Sequence, residues 1–463
     1  MSKITTLAEY ATIQGGYAYK STDFLKTGKF KVLKIKNIRF GYIDYSETDF
    51  ISNQLSKKTE EWKTKPKDIL ISMTGSGPNA PASLVGRVAR VGENEPISFI
   101  NQRIGRVVVN EKVDSDYIYY LLSQKSSQEY FVNNSTGSAN QVNINGNTIL
   151  SLEVPCISFE ESKKIAQILN AFDEKIHLNT QINQTLEQIA QALFKSWFVD
   201  FEPVRAKVQA LSDGLSLEQA ELAAMQAISG KTPEELTALS QTQPERYAEL
   251  AETAKAFPCE MVEVDGVEVP KGWEMKALSD LGQIICGKTP SKSNKEFYGD
   301  EVPFIKIPDM HNQAFITQTT DNLSLSGANS QSKKYIPPKS ICVSCIATVG
   351  LVSMTSKPSH TNQQINSIIP NNDNTSEFLY LSLKQPSMTK YLKDLASGGS
   401  ATLNLNTSTF SKIEIITPSK EIIDIFHNKV CYFFEKILSN SIENKRLSKT
   451  RDLLLPRLLN GEI

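Results

Sequence analysis

The sequence predicts a mixed α/β fold built twice: an α/β domain followed by a long helix, then a second α/β domain followed by a second long helix. Three observations predict it. Segments of the first half return in the same order in the second. Both halves carry short β-like runs separated by turn residues. Each half ends in a run with coiled-coil spacing.

The repeat is read by comparing the chain with itself. LAEYATIQGG from Leu7 returns as LSDLGQIICG from Leu278, VLKIKN from Val32 as FIKIPD from Phe304, and KPKDILIS from Lys65 as PPKSICVS from Pro337. INQRIG from Ile100 then matches TNQQIN from Thr361, DYIYYLLSQ from Asp116 matches EFLYLSLKQ from Glu377, and STGSANQVNI from Ser135 matches ASGGSATLNL from Ala396. Each pair alone is weak; their shared order is the signal. The β-like runs are FKVLKI, DILISM, LVGRVARV and RIGRVVV in the first half, and FIKI, SICVSCI and KIEIIT in the second, bounded by Gly, Pro, Asn and Ser clusters.

The same comparison disposes of a P-loop match. Gly282, then Gly287-Lys288-Thr289, fits the spacing of a phosphate-binding loop. The first copy, ATIQGGYAYK, shares only the turn glycine, Gly16 for Gly287, and the flank TPSKSN lacks the helix start that would hold phosphate. No nucleotide site is expected there.

The first long helix follows Pro155, with Ser158 and Glu161 as a capping box. Its seam runs Ile165, Leu169, Phe172, Ile176, Asn179, Asn183, Leu186, Ala190, Leu193, Trp197. The second, 261 residues on, runs Phe426, Val430, Phe433, Ile437, Asn440, Asn444, Leu447, Arg451, Leu454, Leu458. Asparagines at the same two seam positions predict that the helices pair, because a shifted register would bury an amide against hydrocarbon. Pro456 argues against a continuous helical end.

The expected organisation is a first α/β domain at 1–158, helix at 159–199, connector at 200–268, second α/β domain at 269–418 and helix at 419–463. The connector has no copy. Residues 200–263 hold twelve acidic against five basic residues, a net −7, and Thr232-Pro233-Glu234-Glu235 is a helix start, so several short helices are expected. The whole chain is −1, leaving +6 elsewhere, and Lys20 to Lys67 holds twelve basic against six acidic residues. Such a local basic patch is compatible with nucleic acid. Six cysteines in 463 residues do not form a disulfide scaffold, and no apolar run reaches the length of a signal or membrane span, so the cytoplasm is the expected compartment.

Catalytic constellations are missing from the sequence. Cys342-Val-Ser-Cys345 lacks further ligands at metal spacing and its first copy has Leu70 and Met73, so core cysteines are expected. The four histidines are scattered, Pro308-Asp309 has no Glu-x-Lys after it within that domain, and no Asn/Asp-Pro-Pro-aromatic segment occurs. The chain reads as a non-enzyme.

Two α/β domains, each followed by a long helix, with helices ending in LFKSWFVDFEPVRAK from Leu193 and LLLPRLLNGEI from Leu453, resemble the specificity subunit of Type I restriction–modification systems. The connector ISGKTPEELTALSQTQPERYAELAETAKAFP is similar to that of one branch of the family. The resemblance implies target recognition domains that each read half of a split, asymmetric site in double-stranded DNA. It implies helices that act as spacer and dock two methyltransferase subunits. A restriction/translocase subunit would cut. S-adenosylmethionine, ATP and Mg are then expected on the partners, with no cofactor, metal or catalytic residue in this chain. Asparagine spacing fits parallel or antiparallel helices; the resemblance and the connector's position favour an antiparallel coiled coil with pseudo-twofold symmetry. Alternatives are the specificity module of a related system that cuts without translocating, and a coiled-coil scaffold with no DNA role.

No base-reading residue carries over from the family, so DNA-binding candidates rest on chemistry: Lys and Arg reach phosphate or guanine, Asn and Gln pair with adenine. They are Lys34, Lys36, Ser76, Asn79, Arg103, Asn140 and Gln141 in the first domain, and Lys288, Lys292, Lys306, Gln364 and Thr402 in the second. Asn179, Asn183, Asn440 and Asn444 are the helix-pairing candidates.

Overall fold

The computed structural model describes residues 3–77, 84–138, 141–264, 266–397 and 403–459. It forms two compact units that do not follow chain order: Met1–Ile176 with Arg446–Ile463, and His177–Lys445. Each long helix therefore contributes to both.

The units share a topology. In the first, Ala11–Gly15, Ile104–Val109, Ile69–Ser72 and Val88–Arg90 lie side by side in an antiparallel sheet. In the second, Gly282–Cys286, Ile365–Pro370, Ile341–Ser344 and Val352–Thr355 repeat that order, with Phe315–Ile316 added at the edge. A smaller sheet accompanies each, in which Phe30–Leu33 runs parallel to Ser98–Ile100, and Val302–Ile305 parallel to His360–Thr361. Two helices follow, Ser115–Leu122 and Lys125–Asn133 in one unit, Ser376–Lys384 and Pro386–Ala396 in the other. The central strands are apolar without alternation because both of their faces are covered: Ile69–Ser72 and Ile341–Ser344 are buried throughout. Gly282–Cys286, the P-loop match, is thus a strand, and only irregular chain and a short 3-10 turn, Lys295–Phe297, follow it.

The first long helix spans Phe159–Phe198 and the second Lys420–Leu459. Ser158 caps the first: its Oγ accepts from the Glu161 amide at 3.3 Å, and the Glu161 carboxylate accepts from the Ser158 amide at 3.2 Å. The second continues through Pro456 to Leu459, contrary to the sequence expectation. Leu455, Leu458 and Leu459 are buried in the core of the first unit with Leu169, and that burial offsets the hydrogen bond the proline cannot make.

Antiparallel pairing is visible within each unit. In the second, Asn179 Nδ2 donates to Asn444 Oδ1 at 2.9 Å and Asn440 Nδ2 to Asn183 Oδ1 at 2.9 Å. Residues 261 apart then do equivalent things. Asn179 and Asn440 are each 1% exposed. Asn183 also donates to Ser441 Oγ at 3.2 Å, and Asn444 to Thr180 Oγ1 at 3.3 Å. In the first unit, Arg451 pairs with Asp173, which also accepts from the Tyr120 hydroxyl at 2.7 Å. The buried stripe is wider than the predicted seam. Phe194 and Phe434 are fully buried, while Leu193 and Phe433 are only partly so, because each helix also packs on an α/β domain.

The connector departs from a purely helical segment. Glu202–Ser212, Leu217–Ser229, Pro233–Thr242 and Pro244–Ala256 are helices, the third opened by the Thr232/Glu235 capping box. Met261–Val264 and Val267–Pro270, however, pair as a hairpin. The alternation of Val with Glu there, around Asp265-Gly266, is a strand-period signal that the acidic composition masks. Nor is the segment a loose tether. Phe201, Val204 and Phe257 lie in the core of the second unit, and the buried Lys207 ammonium donates to the Phe257 carbonyl at 2.7 Å.

Candidate nucleic-acid interface

The tightest correspondence between the units is a turn. Asn101 and Asn362 each follow a strand of the smaller sheet; their amides donate to Leu33 O and Ile305 O, both at 3.1 Å. Their carbonyls accept from Ile104 and Ile365, closing the turn. The chain from the first strand passes directly over them. Tyr17 N donates to Ile100 O at 3.0 Å and Lys288 N to Thr361 O at 2.9 Å. This approach is why the preceding residue is glycine: a Cβ on Gly16 would sit 2.1 Å from Asn101 O, and one on Gly287 2.1 Å from Asn362 O.

Around the turns the predicted candidates separate. Arg103 is exposed within the first turn, and the Met73 amide donates to its carbonyl at 2.9 Å. Thr74, beside Met73, donates to Asn143 at 2.7 Å on the strand that carries exposed Gln141, so the structure brings Arg103 and Gln141 to one end of the unit. Lys288 lies exposed over the second turn, while Gln364 is half-buried and holds the turn by accepting from Asn362 Nδ2 at 3.0 Å. Lys292 is exposed further along the same loop. Among the described residues Arg103, Lys288 and Lys292 make no ion pair.

The other lysines are neutralised. Lys34 pairs with Asp49 at 2.6 Å and lies 3.7 Å over the Phe24 ring; Lys36 pairs with Glu47 at 3.1 Å. Lys306 pairs with Asp321, and because both members lie 272 residues beyond Lys34 and Asp49 the ion pair is part of the repeated scaffold. Ser76 is 9% exposed. Asn79, Asn140 and Thr402 lie outside the described residues. Sequence reasoning passed over exposed Gln102 and Gln363, one residue before the chosen Arg103 and Gln364, although both stood in the matched NQ dipeptide.

Elsewhere the chemistry is that of a core. Cys342 and Cys345 are buried, and burial pushes their thiols up to about 12 and about 11. No group of three or more His, Cys, Asp or Glu side chains among the described residues could hold a metal, and no described helix is long and apolar enough to cross a membrane.

His360, two residues before the second turn, is fully buried against the Tyr335 ring, with Gln331 Nε2 3.4 Å from Nδ1 and no partner on Nε2 among the described residues. Burial lowers its pKa from 6.5 to about 4. The unfolded chain therefore binds the proton first on acidification, and the stability this neutral ring supplies at neutral pH is lost as pH falls from about 6.5 towards 4. Between pH 7.5 and 5, wild type should lose about 2 kcal/mol more unfolding free energy than His360→Asn, measured by urea titration. Equal losses would assign the acid sensitivity to other groups.

These two units and their paired helices define a class. The chain belongs to the family of the Type I restriction modification DNA specificity domain, whose model matches residues 2–188 and 270–449. It is a Type I restriction–modification specificity subunit and so a non-catalytic component of its system. It is 64% identical over 464 residues to the Type I restriction enzyme HindI specificity subunit of Haemophilus influenzae, covering 96% of this chain and 95% of that one. It is 27% identical over 371 residues to the MjaIX specificity subunit of Methanocaldococcus jannaschii, covering 78% and 72%. The solved S subunit of a Type I restriction–modification system from M. genitalium shares the fold, with a TM-score of 0.51, 15% identity, and coverage of 99% and 96%.

Proposed function

We propose that each α/β domain reads one half of a bipartite, asymmetric site in double-stranded DNA, and that the subunit directs methyltransferase and restriction/translocase subunits to that site. One observation carries the reading. The same backbone frame is built twice with different side chains at matched positions: half-buried Tyr17 against exposed Lys288, and exposed Arg103 against half-buried Gln364. A duplicated scaffold with unlike tips suits two unlike half-sites. Methyl transfer and cleavage, with S-adenosylmethionine, ATP and Mg, would belong to the partners. The subunit would act in the cytoplasm, where the DNA and those partners are.

The test is a domain exchange. Residues 1–158 are replaced by the matching domain of a relative with a different target, the complex is expressed with its methyltransferase, and the methylated sequence is read genome-wide. One half of the recognised sequence should change and the other persist. A change in both halves would mean that the domains share one reading surface.

A further inference from the structure

The internal repeat allows a comparison that a single domain would not. If the two domains face different half-sites, a side chain that is identical in both, exposed in both and held in the same frame faces something common to all DNA. Gln102 and Gln363 meet these conditions. Each follows an asparagine whose amide bonds the neighbouring strand at 3.1 Å and whose carbonyl lies under a turn glycine. The residues around them diverge: Tyr17 and Ala18 against Lys288 and Thr289, Arg103 against Gln364.

We propose that the turns Asn101-Gln102 and Asn362-Gln363 are the sequence-independent part of the interface. In this reading each glutamine amide donates to a backbone phosphate and seats its domain, while the divergent neighbours read bases. Two further observations support phosphate as the ligand. In the second unit Thr289 Oγ1 donates to Gln363 Oε1 at 2.5 Å, which orients the amide and fills one of that oxygen's two acceptor positions, while the NH2 end remains to donate; a backbone phosphate is an acceptor only. The cations beside the turns, Arg103 and Lys288, make no ion pair among the described residues, whereas Lys34 and Lys306, just past the adjoining strands, are paired with carboxylates. An unpaired cation beside the glutamine raises the local positive potential that draws the DNA backbone to the turn, whichever group the cation itself finally meets.

This inference rests on the proposed DNA-reading function, and its test separates the two. The complete complex with methyltransferase is assayed for binding to cognate and non-cognate duplexes, and for the sequence it methylates. Gln102→Ala and Gln363→Ala should each weaken binding to both duplexes by the same factor, roughly tenfold for a lost hydrogen bond to a charged group. The methylated sequence should not change. Gln102→Glu and Gln363→Glu keep the shape of an exposed side chain but place a carboxylate against phosphate, and should weaken binding more than alanine. Glutamate variants that bind like wild type would reduce the turns to a structural role. Alanine variants with an altered methylated sequence would make the glutamines base readers. Either result overturns the assignment. A wild-type complex that binds no DNA would instead overturn the function on which it rests.

Discussion

Trp197→Ala is expected to destabilise the chain by about 3–5 kcal/mol, enough to unfold a protein of ordinary stability or bring it to the edge. Trp197 is fully buried near the end of the first long helix. Its ring meets Phe257 of the connector at 5.0 Å, Phe426 of the second helix at 5.8 Å and its neighbour Phe198 at 6.0 Å, each edge to face. One side chain thus ties three segments distant in sequence. Its Nε1 has no hydrogen-bond partner among the described residues, so the loss is of packing and burial and strands no polar group. Trp197→Phe should recover more than half of the stability. Urea unfolding of the full chain measures both; a loss below about 1 kcal/mol for the alanine variant would show that the surrounding rings close over the cavity.

If each domain reads one half-site, as proposed, lengthening both helices is expected to lengthen the gap between the half-sites. Each helix has 40 residues, about 60 Å at 1.5 Å per residue. Insertions after Asn183 in the first helix and before Asn440 in the second would face each other, because the observed pairs 179–444 and 183–440 share one sum. One added heptad lengthens the pair by about 10 Å, or about three base pairs, but turns the far half-site by roughly a third of a DNA turn while leaving the helix faces almost unrotated. Three heptads add about 32 Å, close to the 34 Å of a full DNA turn. The three-heptad variant should therefore methylate a site with both half-sites intact and a gap longer by about nine or ten base pairs. The one-heptad variant should methylate weakly. Methylation by the folded three-heptad complex at the original gap would show that the helices do not set the spacing.

Much of this architecture was legible in the sequence because it depends on local pattern. Strand runs and turn residues are short-range features, and their ordered return identifies the duplication even where matched segments share few residues. Ser158/Glu161 and Thr232/Glu235 mark helix starts because a capping box is satisfied within four residues. The four seam asparagines were found by spacing alone.

Other features depend on groups far apart in the chain. Periodicity is a property of one helix, and the two asparagines of each seam align in either direction; the resemblance and the connector's position favoured antiparallel, and the bonds from Asn179 to Asn444 and from Asn440 to Asn183 fix it. Composition marks Lys20 to Lys67 as basic, yet Lys34 and Lys36 are neutralised by Asp49 and Glu47, which only the fold brings within about 3 Å. The burial of Phe194 and Phe434 beyond the seam arises because each helix packs on a domain as well as on its partner. Sequence alone determined the elements and their repetition, since these rest on the conformational preferences of neighbouring residues. Tertiary structure decided helix direction, the state of each charge and which exposed groups surround the two turns, since each depends on which distant surfaces exclude water together.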